Sequence, residues 1–388
     1  MCALILAIEL DPEKYEVSIY EKNSALGRKF LVAGEGGLNL THSELPTNFI
    51  QKYTPFHFLE SAFGQFSNEE FILWLSTLGI ETYVGSSGRV FPKKGMKPIQ
   101  VLSILLAKIK DRGVTIHTKQ EWKGFSNEGL IMEHQGKSYQ VVGDISIFSL
   151  GGASWPVTGS RGTWLDAFKA KDIRVHSFQP SNCSFLINWP PELIPILAGK
   201  ALKNCSFRCG KDIQKGEAVL TSTGIEGSGI YPLSPHIRDQ IQTMGHADLF
   251  IDMKPSLNEA TLLKKLVRSK GKTSYTDHIS QHLNLNKPQM ALLKCTISKS
   301  DFLDPERLVK HMKNVKLTIT GAGTIENAIS TVGGIELEEL SGNFELKKAP
   351  GYFVIGEMLD FDAPTGGYLL QSCFTMAKSV ASYLNEKR

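Results

Sequence analysis

The chain has 388 residues, which is enough for about two domains with separate cores. Its 43 basic and 39 acidic residues leave a formal net charge of only +4, so we expect no nucleic-acid partner, a class that usually shows a strong basic excess. The 6 cysteines are scattered without a CxxC spacing, which predicts free thiols in a reducing cytoplasm and no metal site.

The first residues, MCALILAIEL, are apolar but have neither a basic start nor a small-residue cleavage site. They are also too short to cross a bilayer, and no other run approaches the roughly 20 apolar residues that a membrane helix needs. We therefore predict a buried helix from Met1 to about Glu9 in a soluble protein without a membrane partner.

A strand over Glu16–Tyr20 ends at the acidic Glu21 and is followed by two glycine-rich turns, Gly27-Arg28-Lys29 and Gly34-Glu35-Gly36-Gly37. An acidic residue at a strand tip can accept both hydroxyls of a ribose. Glycines and basic side chains after it let backbone N–H groups approach an anion. The stretch is typical of the middle of a dinucleotide-binding unit.

In such a unit the glycine fingerprint lies about 20 residues before the acidic residue. Counting back from Glu21 places that fingerprint upstream of Met1. We expect the first strand and its GxGxxG loop to be absent from the chain, through a misassigned start or a true truncation.

The next elements are two helices and two strands. Ser67–Glu70 is a capping box that starts one helix, and Pro98–Arg112 is an amphipathic helix ended by Gly113. The strand Val114–His117 follows it, which indicates a parallel crossover. A second buried strand, Ile145–Leu150, runs directly into a pair of glycines, Gly151 and Gly152.

After about residue 155 short extended pieces run to about Lys254, and helical patterns follow to about residue 314. We interpret 156–320 as an inserted substrate or cap domain, β-rich first and helical second. Beyond it, the strand Tyr352–Ile355 ends in Gly356-Glu357, and Gly366-Gly367 opens a helix that starts at Tyr368. The predicted fold class is therefore α/β, with a doubly wound nucleotide-binding domain formed discontinuously by residues 1–155 and 321–388.

Several segments resemble, in order, the motifs of a family of FAD-dependent bacterial oxidoreductases: LGRKFLVAGEGGLNLTHSE, GRVFPKKGMKP, SLGGASWPVTGSRG, TVGGI and GYFVIGEMLDFDAPTGGYLLQ. This family includes aminoacetone oxidase-type enzymes and a bile-acid enone reductase. The resemblance spans almost the whole chain and implies a glutathione-reductase-like FAD-binding domain interrupted by an insert. Many members carry Gly-Arg-Cys-Asn where this chain has Gly36-Gly37-Leu38-Asn39, which removes a thiol and an arginine from the expected flavin site.

The resemblance also implies the cofactor contacts. Glu21 would bind the adenosine ribose, and Gly366, Gly367 and Tyr368 would lie at the pyrimidine edge of the isoalloxazine, where a helix N-terminus stabilises an anionic reduced flavin. The other residues implied to contact FAD are Lys22, Arg28, Lys29, Gly34, Gly36, Gly37, Asn39, Gly151, Gly152, Gly356, Glu357 and Asp360.

From the resemblance we expect hydride transfer at a flavin to or from a small organic molecule. One version is oxidation of an amine or α-amino ketone with O₂ as the acceptor, and the other is NAD(P)H-driven reduction of a conjugated carbon–carbon double bond. Because the chain has no second complete dinucleotide fingerprint, NAD(P)H would act only as a transient donor. A third reading, a truncated flavoprotein without catalytic activity, follows from the missing first strand. No catalytic side chain stands out by spacing.

Overall fold

The computed structural model describes residues 1–34, 37–267 and 273–387. The chain divides into two compact units, Met1–Pro180 with Ile325–Arg388, and Ser181–Thr324. We refer to them as the first and second unit.

The helices are α1 (Cys2–Glu9), α2 (Arg28–Ala33), α3 (Pro46–Ile50), α4 (His57–Gln65), α5 (Asn68–Thr77), α6 (Pro98–Asp111), α7 (Leu165–Lys169), α8 (Ile194–Leu197), α9 (Ser234–Met244), α10 (Glu259–Leu266), α11 (Tyr275–His282), α12 (Lys287–Thr296), α13 (Lys299–Leu303), α14 (Pro305–Met312) and α15 (Tyr368–Glu386).

The strands are β1 (Ser18–Glu21), β2 (Thr41–His42), β3 (Thr82–Val84), β4 (Arg89–Pro92), β5 (Thr115–Thr118), β6 (Glu121–Phe125), β7 (Leu130–His134), β8 (Lys137–Val141), β9 (Ser146–Phe148), β10 (Val175–Ser181), β11 (Phe185–Leu186), β12 (Lys200–Cys209), β13 (Asp212–Leu220), β14 (Gly224–Glu226), β15 (Ala247–Asp252), β16 (Val315–Ile319), β17 (Gly321–Ala322), β18 (Ser330–Ile335) and β19 (Tyr352–Val354).

Two parallel strand pairs lie in the first unit. β1 pairs with β5, with Glu21 opposite Thr118, and β19 pairs with β9, with Val354 opposite Phe148. Within the described ranges no third strand joins either pair, so the parallel sheet predicted for a doubly wound domain consists of two separate pairs. The helix-then-strand crossover from α6 to β5 is confirmed, because β5 lies parallel to β1.

In this unit α1 packs against both α6 and α15. α1 is apolar on nearly every side and buries its residues from Leu4 to Ile8, which is why this short segment is helical despite having no side-chain cap. The helix predicted at Ser67–Glu70 is present as α5, and the Ser67 hydroxyl accepts the amide of Glu70 at 3.4 Å. α15 begins directly after Gly366-Gly367, as the sequence predicts.

The second unit is built on a seven-stranded sheet in the order β16-β15-β12-β13-β14-β11-β17. β16 alternates strictly, with Val315, Leu317 and Ile319 buried and the residues between them exposed, so one face of the sheet carries the core. The loop Gly224–Gly229 enters β14, which pairs with β11 and β13. This glycine-rich stretch therefore belongs in part to an antiparallel strand of the sheet.

Helices α10–α14 belong to the second unit, and all five carry an Asn, Ser or Asp side-chain N-cap. Among the described residues, no helix in either unit combines the length and apolarity needed to span a bilayer.

Candidate functional site

A buried ion pair joins the first glycine loop to the end of β19. Glu357 follows β19 by three residues, and its Oε2 accepts a hydrogen bond from the Lys29 ammonium at 2.8 Å. Lys29 lies in α2 and donates a second bond to the Ser154 hydroxyl at 2.8 Å. Because only 9% of the Glu357 side chain is exposed, the pair is sheltered from solvent and holds residues 328 positions apart.

Thr331 completes this network from β18. The other carboxylate oxygen of Glu357, Oε1, accepts the Thr331 backbone N–H at 3.0 Å, and the Thr331 hydroxyl accepts the amide of Ala153 at 3.2 Å. A Cβ at Gly152 would lie 2.0 Å from that hydroxyl, so only glycine fits there. The strand–Gly-Gly pattern after β9 is therefore explained by close packing against Thr331 and Glu357.

Glu21 sits at the carboxyl end of β1, where the sequence places it. Its Oε1 accepts both the amide and the side-chain N–H of Asn23, at 2.8 and 2.7 Å. Arg28 reaches the same Asn23 through its Nη1, at 3.3 Å. Within the described chain Oε2 of Glu21 makes no hydrogen bond, which leaves one carboxylate oxygen for a ribose hydroxyl. The neighbouring Lys22 is exposed to solvent.

The N-terminus of α15 is enclosed by polar and aromatic groups. Gly367 has φ +99°, and a Cβ there would lie 2.6 Å from the Thr41 backbone, so the chain approaches β2 as closely as glycine permits. The Tyr368 hydroxyl donates to Glu44, and the Tyr368 carbonyl accepts the Tyr53 hydroxyl at 2.7 Å. Burial, followed by the hydrogen bond and negative charge of Glu44, raises the pKa of Tyr368 well above its usual value.

His42 and Arg89 border the same helix end. The Nδ1 of His42 accepts the Glu44 amide at 3.1 Å, so Nε2 carries the proton and donates to the Ser87 carbonyl at 3.0 Å. Its ring stacks on Tyr368 with centroids 5.8 Å apart, and a Cβ at Gly366 would lie 3.3 Å from Arg89 Nε. The sequence analysis missed these residues; the only signal was their place inside two of the family motifs.

The glycine loop after β1 is described in part. Gly36 lies outside the described residues, whereas Gly34 packs against Pro98, where a Cβ would lie 2.5 Å from the proline ring. Gly37 is exposed with φ +118°, and its carbonyl accepts the Asn39 side-chain N–H at 3.3 Å. The buried Oδ1 of Asn39 has no hydrogen-bond partner among the described residues, so it is an acceptor without a donor.

Gly151 and Asp360 flank the network without joining it. Gly151 has φ +77° and sits beside Ser160. Asp360 Oδ1 accepts the Gly333 amide at 2.9 Å, and burial raises the pKa of this carboxyl group. Asp360 therefore holds the glycine turn of β18, and in the described contacts it does not reach Lys29 or Glu357.

The residues present fit an FAD. The donor-free Asn39 Oδ1 and the free oxygen of Glu21 are polar groups that can bond a dinucleotide, whereas Gly152, Gly356 and Gly367 are packed against Thr331, Cys2 and Thr41. Glu21 would hold the ribose, and the loops at Lys29–Gly37 and Gly356–Glu357 would hold the chain of the cofactor. When bound, the flavin supplies hydride chemistry.

Comparison with known proteins shows the following. The model of a family described as HI0933-like protein Rossmann domain matches residues 1–383. The chain is 23% identical over 371 residues to 3-dehydro-bile acid delta(4,6)-reductase of Clostridium scindens, covering 92% of this chain and 89% of that protein. It is 23% identical over 389 residues to ribosomal RNA dihydrouridine synthase of Haemophilus influenzae, covering 97% and 94%.

Among solved structures, 3-ketosteroid-delta4-(5alpha)-dehydrogenase from Rhodococcus jostii RHA1 matches with a TM-score of 0.49 and 13% identity, covering 97% of this chain and 94% of that one.

Proposed function

The chain belongs to the HI0933-like Rossmann family of FAD-dependent oxidoreductases, and from that premise we propose that it reduces a carbon–carbon double bond conjugated to a carbonyl group. The observation that carries the proposal is the chemistry shared by two relatives with unlike substrates. A delta(4,6) double bond next to a 3-oxo group, and the C5=C6 bond of uridine next to its C4 carbonyl, undergo the same addition of hydride and proton.

The chain's own residues would position the reacting groups and exclude water from them. The Lys29–Glu357–Thr331 network fixes the two glycine loops, and Gly367 brings the start of α15 against β2. With the flavin at the start of α15, as the family resemblance implies, the helix N-terminus would stabilise the negative charge that develops on reduction. These elements support hydride transfer because such a reaction needs a positioned substrate and exclusion of water.

Two substrate classes satisfy the same chemistry. One is a small enone, consistent with the bile-acid relative. The second is uracil within RNA, and a specific observation favours it: the second unit contains 19 Lys and Arg against 12 Asp and Glu, a net charge of +7 by sequence. The expectation of no nucleic-acid partner came from the net charge of the whole chain. That value adds the positive second unit to a first unit with 24 basic and 27 acidic residues, whose net charge is −3.

The test is anaerobic reoxidation. The purified protein is supplied with FAD, reduced with NAD(P)H or dithionite, and mixed without O₂ with a 3-oxo-Δ4 steroid or with a uridine-containing RNA. We expect the oxidised flavin spectrum to return and the product to gain two hydrogens by mass spectrometry, with the corresponding saturated ketone as the inactive control.

Two other results would contradict the proposal. Reduction of the flavin by an amine or α-amino ketone, with stoichiometric hydrogen peroxide in air, would instead establish an oxidase. A folded protein that retains no flavin would support the non-catalytic interpretation.

A further inference from the structure

Positive charge in the second unit is concentrated in its helices. Residues 254–316 contain 13 Lys and Arg against 5 Asp and Glu. Three basic residues of this segment are neutralised by carboxylates, namely Lys313 by Asp252, Lys316 by Asp248, and Arg307 by Asp301 and Asp304. Within the described ranges, seven lysines have no carboxylate within 4.0 Å: Lys254, Lys264, Lys265, Lys287, Lys294, Lys299 and Lys310.

Two of these lysines lie where a positive charge destabilises the helix that carries it. Lys287 and Lys299 are the first residues of α12 and α13, where the helix dipole disfavours a positive charge. Both side chains are exposed. An external anion that pairs with such a lysine would offset the cost to its helix. The lysines in the last turns of α10 and α14 differ, because the helix dipole favours a positive charge there.

A second observation is the mutual repulsion of Lys254 and Lys265. The pKa of Lys254 is lowered, first by burial and also by the positive charge of Lys265 nearby. The Lys254 ammonium donates to the Asn284 carbonyl at 2.7 Å, and among the described residues no acidic side chain neutralises it. An anion bound between the two ammonium groups would remove this repulsion.

The helices that carry these lysines form one packed group. α10 contacts α14 and α11, α13 contacts α14, and the Thr296 hydroxyl of α12 lies 2.8 Å from His311 Nε2 of α14. Lys310, Lys313 and Arg307 of the α14 region line a shallow groove together with two acidic residues, Glu259 at the start of α10 and Asp301 of α13. The charges are therefore distributed over the exposed sides of adjoining helices and are not gathered in one pocket, which suits an extended polyanion better than a small anion.

We propose that a group of lysines on α10, α12, α13 and α14, together with the half-buried Lys254 just before α10, binds the phosphodiester backbone of an RNA, and we call this group the lysine face. The lysine face is defined by Lys254, Lys264, Lys265, Lys287, Lys299 and Lys310. The inference rests on the proposed function, because an RNA held by the second unit would be the macromolecule whose uracil is reduced. Lysine ammonium groups contact phosphates without reading sequence, so the lysine face supplies affinity and leaves base choice to other residues.

Charge reversal with a matched control tests the proposal. The triple variant Lys264→Glu, Lys265→Glu and Lys310→Glu changes the lysine face. The control Lys108→Glu, Lys110→Glu and Lys137→Glu makes the same change of charge at exposed positions of α6 and β8 in the first unit. Fluorescence anisotropy with a labelled, uridine-containing RNA hairpin measures affinity over a range of salt concentrations for the full-length protein and both variants.

We expect the lysine-face variant to lower the slope of log K against log salt by about 2, since each lost phosphate contact accounts for roughly 0.7. At about 0.1 M salt this corresponds to an affinity roughly 100-fold weaker. The control variant should bind much as the unmodified protein does, and Lys→Arg changes at the three lysine-face positions should restore binding. Circular dichroism and thermal midpoints establish that each variant is folded.

Equal losses in both triple variants, or no loss in the lysine-face variant, would overturn the proposal. Equal competition by anionic phosphatidylglycerol vesicles would overturn the assignment to RNA. The proposed function has a separate readout. If RNA binding depends on the lysine face but the unmodified protein reduces neither uracil nor an enone, the RNA-binding surface is supported and the proposed function is refuted.

Discussion

Removal of the Glu357 carboxylate is the sharpest test of the site. Glu357→Ala deletes the partner of Lys29 and leaves the buried Thr331 amide without an acceptor. A hydrogen bond to a charged group contributes about 1.5–3 kcal/mol, and an unsatisfied buried N–H costs about 1–3 kcal/mol. Lys29 is 29% exposed and can turn to water, so we take the lower part of this range and expect a loss of about 3–4 kcal/mol in the free energy of unfolding.

Glu357→Gln separates the two contributions. The amide oxygen can still accept from Thr331, so only the charge-assisted bond to Lys29 is lost and we expect about 2 kcal/mol. Urea unfolding followed by tryptophan fluorescence suits the measurement, because Trp74, Trp122, Trp155 and Trp164 lie in the first unit and only Trp189 in the second.

A double-mutant cycle between Lys29→Ala and Glu357→Ala measures the pair itself. We expect a coupling energy of about 1–2 kcal/mol. A loss below about 0.5 kcal/mol for Glu357→Ala, or no coupling to Lys29, would refute the reasoning that this buried pair holds the glycine loops together.

Two further predictions concern the same fold. Gly367→Ala should destabilise the first unit by at least about 2 kcal/mol, because φ is +99° and the Cβ would lie 2.6 Å from Thr41. The control Gly79→Ala, at φ +78° with no atom within 4 Å, should cost about 1 kcal/mol. Similar losses for the two variants in urea unfolding would contradict the close approach at Gly367. Burial lowers the pKa of His311 below its usual 6.5. The unfolded state therefore binds the proton more readily than the folded state does. The stability of the second unit should fall as pH decreases below about 6.5. His311→Gln should flatten that part of the stability–pH curve, and an unchanged curve would show that His311 does not cause it.

Local signals in the sequence predicted most of the secondary structure near the site. The apolar α1, the capped α5, the crossover from α6 to β5 and the glycine-led α15 all follow from patterns within short stretches, and the structure confirms them. These predictions succeed because helix caps, hydrophobic periodicity and glycine turns act between neighbours in the chain.

The cofactor contacts assigned by resemblance stay predictions, but the structure places their residues in distinct surroundings. Lys29, Gly152 and Glu357 come together with Thr331, whereas Asp360 holds the turn at Gly333. Thr331 lies in the TVGGI segment, but its bond to Glu357 could not be predicted from the sequence, since the two residues are 26 positions apart and meet only in the packed fold.

The sequence alone determined the strand that ends at Glu21, the glycine-led α15 and the basic character of residues 254–316, because each depends on residues close together in the chain. It also determined the family, through motifs spread over almost the whole chain. Only the tertiary structure decided that Lys29 pairs with Glu357 and Tyr368 with Glu44, across 328 and 324 positions. Such pairs carry no local signal, since a charged or phenolic side chain meets a distant partner only after the helices and strands have packed and water has been excluded between them.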